Sequence, residues 1–250
     1  MSIKDVTYLS VYLNKLSQKK KSDIDSIVTL CNSEFSNLDF HSKRIFTCDV
    51  PDNRPKNIEF FKVNEISYEE FTNFVALKYA DMFDSEFMIN FHCDAFIINP
   101  NSWKDSFLNY DYIGAPFDAG GLRDPCSGNG GFSLRSKKFC IEFRDLFMNL
   151  PQDYKTLPED FLCCHILRED LKLKGIKFAP FEVASQFATE HLAYKDKDFY
   201  ESFGMHEFRP ISESEVDNRN LNVDKKYICQ NPERVEFIRN TKHNNIFNEN

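Results

Sequence analysis

The stretch Phe87 to Pro100, FMINFHCDAFIINP, decides the fold. It reads as a nearly continuous apolar strand carrying one carboxylate, Asp94, set among Cys93, Ala95 and Phe96. Burying an ionised carboxylate costs several kcal/mol unless it is paired or bound to a cation. Asp94 therefore belongs at a strand end facing a cleft, or beside a positive partner. Two stretches further on sharpen that choice: YDYIGAPF at Tyr110 to Phe117 and GNGGFSLR at Gly128 to Arg135. A strand-end acid followed by a glycine-rich backbone suits a site for a metal and a phosphorylated sugar.

Outward from this strand the chain alternates between two periodicities. Val6 to Leu13, Arg44 to Val50, Ile58 to Val63, Tyr112 to Phe117, Phe132 to Leu134 and Phe178 to Phe187 read as strands. Helical spacing runs through Asp23 to Phe35, from the Ser67–Glu70 capping box to Ala80, around Trp103 to Leu108, and from Lys137 to Leu150. A further helix is expected from Glu159 to Lys174, with Pro158 at its first turn and Gly175 closing it. Such alternation predicts an α/β domain: a mostly parallel central sheet flanked by helices. That domain is expected over residues 1–210. Residues 211–250, rich in Asn and charge with few apolar anchors, are expected to form a less ordered tail or a short helical appendage.

Composition bounds the function. The 250 residues carry a formal net charge of −8, which attracts neither nucleic acid nor an anionic membrane through bulk charge. It also repels a nucleotide diphosphate, so an anionic ligand needs a local cation or a bound metal. The 26 Phe against one Trp predict an aromatic core. None of the eight cysteines forms a C-x-x-C pair, and reduced, buried thiols are expected. Adjacent Cys163 and Cys164 should point to different faces of a helix. No run approaches the ~20 apolar residues of a membrane span. With no secretory signal evident in MSIKDVTYLSVYLNK, a cytoplasmic protein is expected.

The run from Tyr68 through Arg135, extended to Glu159-Asp160, resembles an uncharacterised family of glycosyltransferases of the GT-A type. The family pattern is Y-x-x-F, Q-x-D-G/A-F, W-x-x-x-F-x-x-Y-D-Y-I-G-A-P-W, G-N-G-G-F-S-L-R and an E-D pair. Here it reads Tyr68 and Phe71; His92-Cys93-Asp94-Ala95-Phe96; Trp103, Phe107 and Tyr110 to Phe117; Gly128 to Arg135; and Glu159-Asp160. Two positions depart from it: His92 replaces the usual Gln, and Phe117 the usual Trp.

The resemblance implies a GT-A-like domain that transfers a sugar, as a hexosyltransferase, from a nucleotide diphosphate sugar such as a UDP-sugar. The acceptor would be a glycan or glycolipid, which leaves peripheral membrane association open. It implies a Mn²⁺ or Mg²⁺ cofactor, with Asp94 matching the last Asp of the superfamily's D-x-D motif and His206, in the Phe203 to His206 turn, as a second ligand. Asp160 is implied as the catalytic base, with Glu159 holding the acceptor, although the two assignments are interchangeable. Asn129, Gly130 and Gly131 have two readings, sugar contact or a tight turn into a strand. Asp49 has two also, nucleotide binding or a turn before Pro51. Arg135 offers local positive charge. Two other classes stay open: a sugar-phosphate nucleotidyltransferase, disfavoured because YLNKLSQKKK after the first strand holds no glycine, and a non-catalytic glycan-binding or assembly relative.

Overall fold

The computed structural model describes residues 2–13, 27–28, 31–32, 38–93, 95–117, 126–190 and 202–206. Asp94, most of the expected Asp23 to Phe35 helix, the loop at 118–125 and the 211–250 appendage lie outside the described residues.

A six-stranded sheet organises the chain. Its strands are β1 (Ser2–Tyr12), β2 (Asp39–Thr47), β3 (Glu59–Lys62), β4 (Phe87–Phe91), β6 (Tyr112–Gly114) and β9 (Phe132–Ser136), in the order β3-β2-β1-β4-β9-β6. The first four run parallel, and β9 lies antiparallel between β4 and β6. A small second sheet joins β10 (Ala188–Glu190), β11 (Gly204–His206) and β5 (Phe96–Ile97). The short strands β7 (Pro116–Phe117) and β8 (Cys126–Ser127) pair with each other.

Alternation along the strands feeds two apolar layers, as the period of two requires. On one face Tyr8, Ile89, Phe91, Phe132 and Leu134 meet Trp103, Phe107, Phe203 and helix α5 (Phe181–Phe187). On the other, Leu9, Val11, Met88 and Tyr112 meet α1 (Tyr68–Lys78), α2 (Lys137–Met148) and the segment after Pro158. Aromatic rings carry much of the first layer: Tyr8 stacks between Phe40 and Phe91, at centroid separations of 5.1 and 4.1 Å.

Helix α1 begins where the capping box predicts. The Ser67 hydroxyl accepts from Glu70 N–H, and the Glu70 carboxylate accepts from Ser67 N–H. These hydrogen bonds hold the Glu70 carboxyl below its usual range.

Several elements differ from the sequence reading, each for a visible reason. The Phe87 to Pro100 run is two strands in two sheets. After β4, His92 N–H donates to Gly131 C=O, Ala95 N–H returns to His92 C=O, and the chain re-enters as β5 beside β11. Tyr112 to Phe117 divides at Ala115, whose carbonyl accepts from Gly128 and Asn129 N–H. Phe178 makes only an isolated bridge to Tyr112, and Pro180 then opens helix α5, where Ala184 and Phe187 supply the buried helical stripe. Trp103 sits between two 3₁₀ turns, Pro100–Ser102 and Asp105–Asn109.

The expected Glu159 to Lys174 helix is interrupted. It starts as α3 (Glu159–Phe161), widens into a π turn over Leu162–Ile166 and resumes as α4 (Arg168–Leu173). Cys163 and Cys164 accordingly share an interior position, with sulfurs 3.6 Å apart, instead of facing opposite ways. The six cysteines whose side chains are described are all free thiols.

Candidate active site

The parallel strands end at one edge of the sheet, the edge where ligands bind in open α/β folds. β2 ends there at Thr47, followed by exposed Asp49, whose N–H donates to the Thr47 hydroxyl. β4 ends at Phe91, leading into His92. The antiparallel β9 begins at that same edge, so Gly128 to Gly131 lies beside His92.

Three chain segments converge on the glycines. Gly130 N–H donates to Asp160 Oδ2 at 3.0 Å, and Asp160 Oδ1 accepts from Phe161 N–H at 2.8 Å. Gly131 packs under the buried His206 imidazole, whose ring lies 5.9 Å from that of His92. A Cβ at Gly130 would overlap the Glu159 carboxylate, and one at Gly131 would overlap His206. Only glycine permits this approach at either position. Two residues before His206, Gly204 receives the ring of Phe132 against its backbone.

The structure thus brings together Asn129, Gly130, Gly131, Glu159, Asp160 and His206, and sets Asp49 at the end of β2 on the same edge. Asn129 serves the turn, its Oδ1 accepting from Gly131 N–H at 2.6 Å. The environments of the two neighbouring acids differ sharply. Asp160 is half-buried with both oxygens on backbone N–H groups. Desolvation first, then the Glu159 charge, raises its carboxyl above the usual range; the two N–H bonds and Arg135 act in the opposite sense.

Glu159 forms a bidentate pair with Arg135, Nη2 to Oε1 at 2.7 Å and Nη1 to Oε2 at 3.2 Å. Arg135 is only 1% exposed, so it does not present the accessible positive charge expected of it from sequence. Glu159 is likewise buried rather than open to an acceptor. The rest of the guanidinium is occupied as well. Its Nε donates to Ser133 Oγ and Nη2 to Gly130 C=O, between the rings of Tyr79 and Tyr112.

Sequence reasoning missed Asn90 and Tyr79. Tyr79 Oη donates to Asn90 Oδ1, and Asn90 Nδ2 donates to Gly130 C=O at 2.7 Å. The available signal was an amide inside the apolar run FMINF, since a fully buried Asn must find partners. Among the described residues, no group of three or more His, Cys, Asp or Glu side chains is disposed to hold a metal ion.

The family described as "Protein of unknown function (DUF5672)" matches residues 57–206. The chain belongs to that family. No curated protein matches it. Among solved structures, a glycosyltransferase involved in the glycosylation of the major capsid of PBCV-1 is similar, with a TM-score of 0.50 at 14% identity. That alignment covers 94% of this chain and 98% of the other. The apo glycosyltransferase GlyE of Streptococcus pneumoniae TIGR4 aligns with a TM-score of 0.48 at 13% identity, covering 91% of this chain and 62% of that one. The chain therefore shares its mixed α/β fold with a solved glycosyltransferase. No described helix is long and apolar enough to cross a membrane.

Proposed function

We propose that this protein is a metal-dependent glycosyltransferase, moving a hexosyl group from a nucleotide diphosphate sugar, a UDP-sugar in the first instance, to a hydroxyl of a glycan or glycolipid. One observation carries the reading: a half-buried carboxyl, Asp160, is fixed by backbone N–H groups against a glycine-rich turn at the edge of the sheet where open α/β folds bind ligands. The shared fold is consistent with it.

In this reading Asp160 is the general base. The acceptor oxygen bonds to the anomeric carbon, its proton passes to Asp160, and the diphosphate departs with the electron pair of the broken bond. A carboxyl raised above its usual range is the better base, because its basicity lies closer to the working pH. The bare backbone at Gly130 and Gly131, shaped by the Asn129 turn, admits a sugar closely. Asp49, exposed beyond β2, serves the nucleoside end.

The donor set suits Mn²⁺ or Mg²⁺, since oxygen ligands hold either and imidazole favours the former. His206, buried against Gly131, supplies an imidazole whose ring lies 5.9 Å from that of His92, itself two residues before Asp94 in sequence. Asp94 and His206 would hold the ion, which when bound offsets the charge gathering on the leaving diphosphate. A surface of net charge −8 gives the anionic donor little other welcome.

The test is a screen of nucleotide sugars for Mn²⁺-dependent release of free nucleotide, run on wild type and on Asp94→Ala. Release by the wild type and its loss in the variant are expected, with the circular dichroism spectrum unchanged. Calorimetric binding of UDP and Mn²⁺ by wild type with no release from any donor would instead mark a binding or assembly protein.

A further inference from the structure

Gly130 is held at both ends of its backbone. Its N–H meets Asp160, and its carbonyl accepts from Asn90 Nδ2, Ser133 Oγ and Arg135 Nη2, at 2.7, 3.1 and 3.3 Å. Arg135 also grips both oxygens of Glu159, the residue immediately before Asp160. One buried guanidinium on β9 thus ties the glycine turn to the start of α3. Two aromatic rings, with centroids 5.2 and 5.4 Å from its central carbon, keep its plane in place.

A buried ion pair is a poor device for stability alone, because apolar residues of similar volume often serve the fold as well or better. Its value lies in direction: two parallel charge-assisted hydrogen bonds allow little rotation of either partner. We propose that Arg135 and Glu159 are positioning residues, a buried clamp that aims Asp160 at the Gly130 turn and fixes the setting in which it titrates, with neither residue touching substrate. This rests on Asp160 being the base and deepens that assignment by removing Glu159 from the chemistry.

Among the described residues, the charged and titratable groups acting on Asp160 are Glu159 and Arg135; His165 lies one turn on and feels the Asp160 charge. Glu159 raises the Asp160 carboxyl, and Arg135 opposes it more weakly. Neutralising Glu159 must therefore lower the Asp160 midpoint. Removing both charges must lower it less.

The experiment is a pH titration of ¹³C-labelled aspartate carboxyls by NMR, with the Asp160 resonance identified by its loss in Asp160→Asn. Glu159→Gln is expected to shift the midpoint downward. Because breaking a buried pair threatens the fold, a double variant, Arg135→Met with Glu159→Leu, accompanies it. Its urea midpoint should stay near that of wild type, with a smaller downward shift of Asp160. Nucleotide release from the donor found in the screen should fall about 100-fold in the double variant, the scale of a base misplaced by an ångström, with the donor KM unchanged. A folded double variant with the wild-type Asp160 midpoint, or with wild-type turnover, would reduce the pair to a structural feature and overturn the proposal. If wild type releases nucleotide from no donor, the glycosyltransferase reading fails by itself, and the titration still decides whether the clamp governs Asp160.

Discussion

The two halves of the central sheet bury polar groups in different ways. In β3-β2-β1 the buried hydroxyls act locally: Thr7 pairs with Ser85, and Ser10 donates to the Phe91 carbonyl. Thr7 also meets the Ser42 hydroxyl and Ser85 donates on to the Phe87 carbonyl, a short neutral chain amid Val6, Leu9, Val11 and Ile45. In β4-β9-β6 the polar groups are connected. Tyr79, Asn90, Ser133, Arg135 and Glu159 form one network that closes on Gly130. The first half ends in an exposed acid, Asp49, and the second in a half-buried one, Asp160, whose carboxyl burial raises above the usual range. Short runs of neutral hydroxyls are compatible with a sheet that needs only to be stable. A connected network containing an ion pair is a costly arrangement, and it lies beside the Asp160 carboxyl at the Gly130 turn.

The sharpest way to break the contrast is Arg135→Ala. It strands the Glu159 charge and should cost about 3–5 kcal/mol of stability, read from urea unfolding, while also disordering the turn at Gly130. Asp160→Asn comes next. It should lower turnover by about 10²–10⁴-fold with little change in donor affinity, and wild-type turnover would move the base elsewhere.

The same variant separates the halves by pH. Burial raises the Asp160 carboxyl, so the native protein holds that proton more tightly than the unfolded chain. The stability this contributes is fully present below the unfolded carboxylate pKa and is lost as pH rises through the raised native one. Measured against Asp160→Asn, wild type should therefore gain stability as pH falls through that window, while its turnover declines. A gap independent of pH would contradict the assigned burial.

In the other half the effects shrink. Ser10→Ala removes one hydrogen bond to a buried carbonyl and should cost about 1 kcal/mol, with no change in the Asp160 midpoint. Asp49→Ala, at an exposed turn, should stay within about 0.5 kcal/mol in stability. Any effect there should fall on donor KM alone.

Local signals in the sequence carried much of the architecture. The Ser67–Glu70 box starts α1, and Ser136, accepting from Phe139 N–H, caps α2 as its amphipathic pattern begins. Apolar runs marked the strands of the six-stranded sheet, although those at Phe87 to Pro100 and Tyr112 to Phe117 each divide between two sheets. What escaped depends on contacts between distant segments. Arg135 and Glu159 lie 24 residues apart, and no periodicity announces that they neutralise one another. Phe178 to Phe187 has the composition of a strand, yet Pro180 resets it to a helix. The split after Phe91 was hidden because both parts are apolar, and apolarity does not say which sheet receives a strand. Of the two adjacent acids, which one pairs with Arg135 and which meets the Gly130 turn was a question of geometry.

The ring of Phe132 seated on Gly204 has a consequence for strand parity. Successive residues of β11 face opposite ways, so Gly204 and His206 look toward β9 while Met205 looks away. Sliding β11 by one step would press Phe203 or Met205 onto that ring, where not even a methyl fits, and would exchange an imidazole for a thioether or the chain beyond at Gly131. The smallest side chain in the strand thus acts as a phase marker for the histidine two places on.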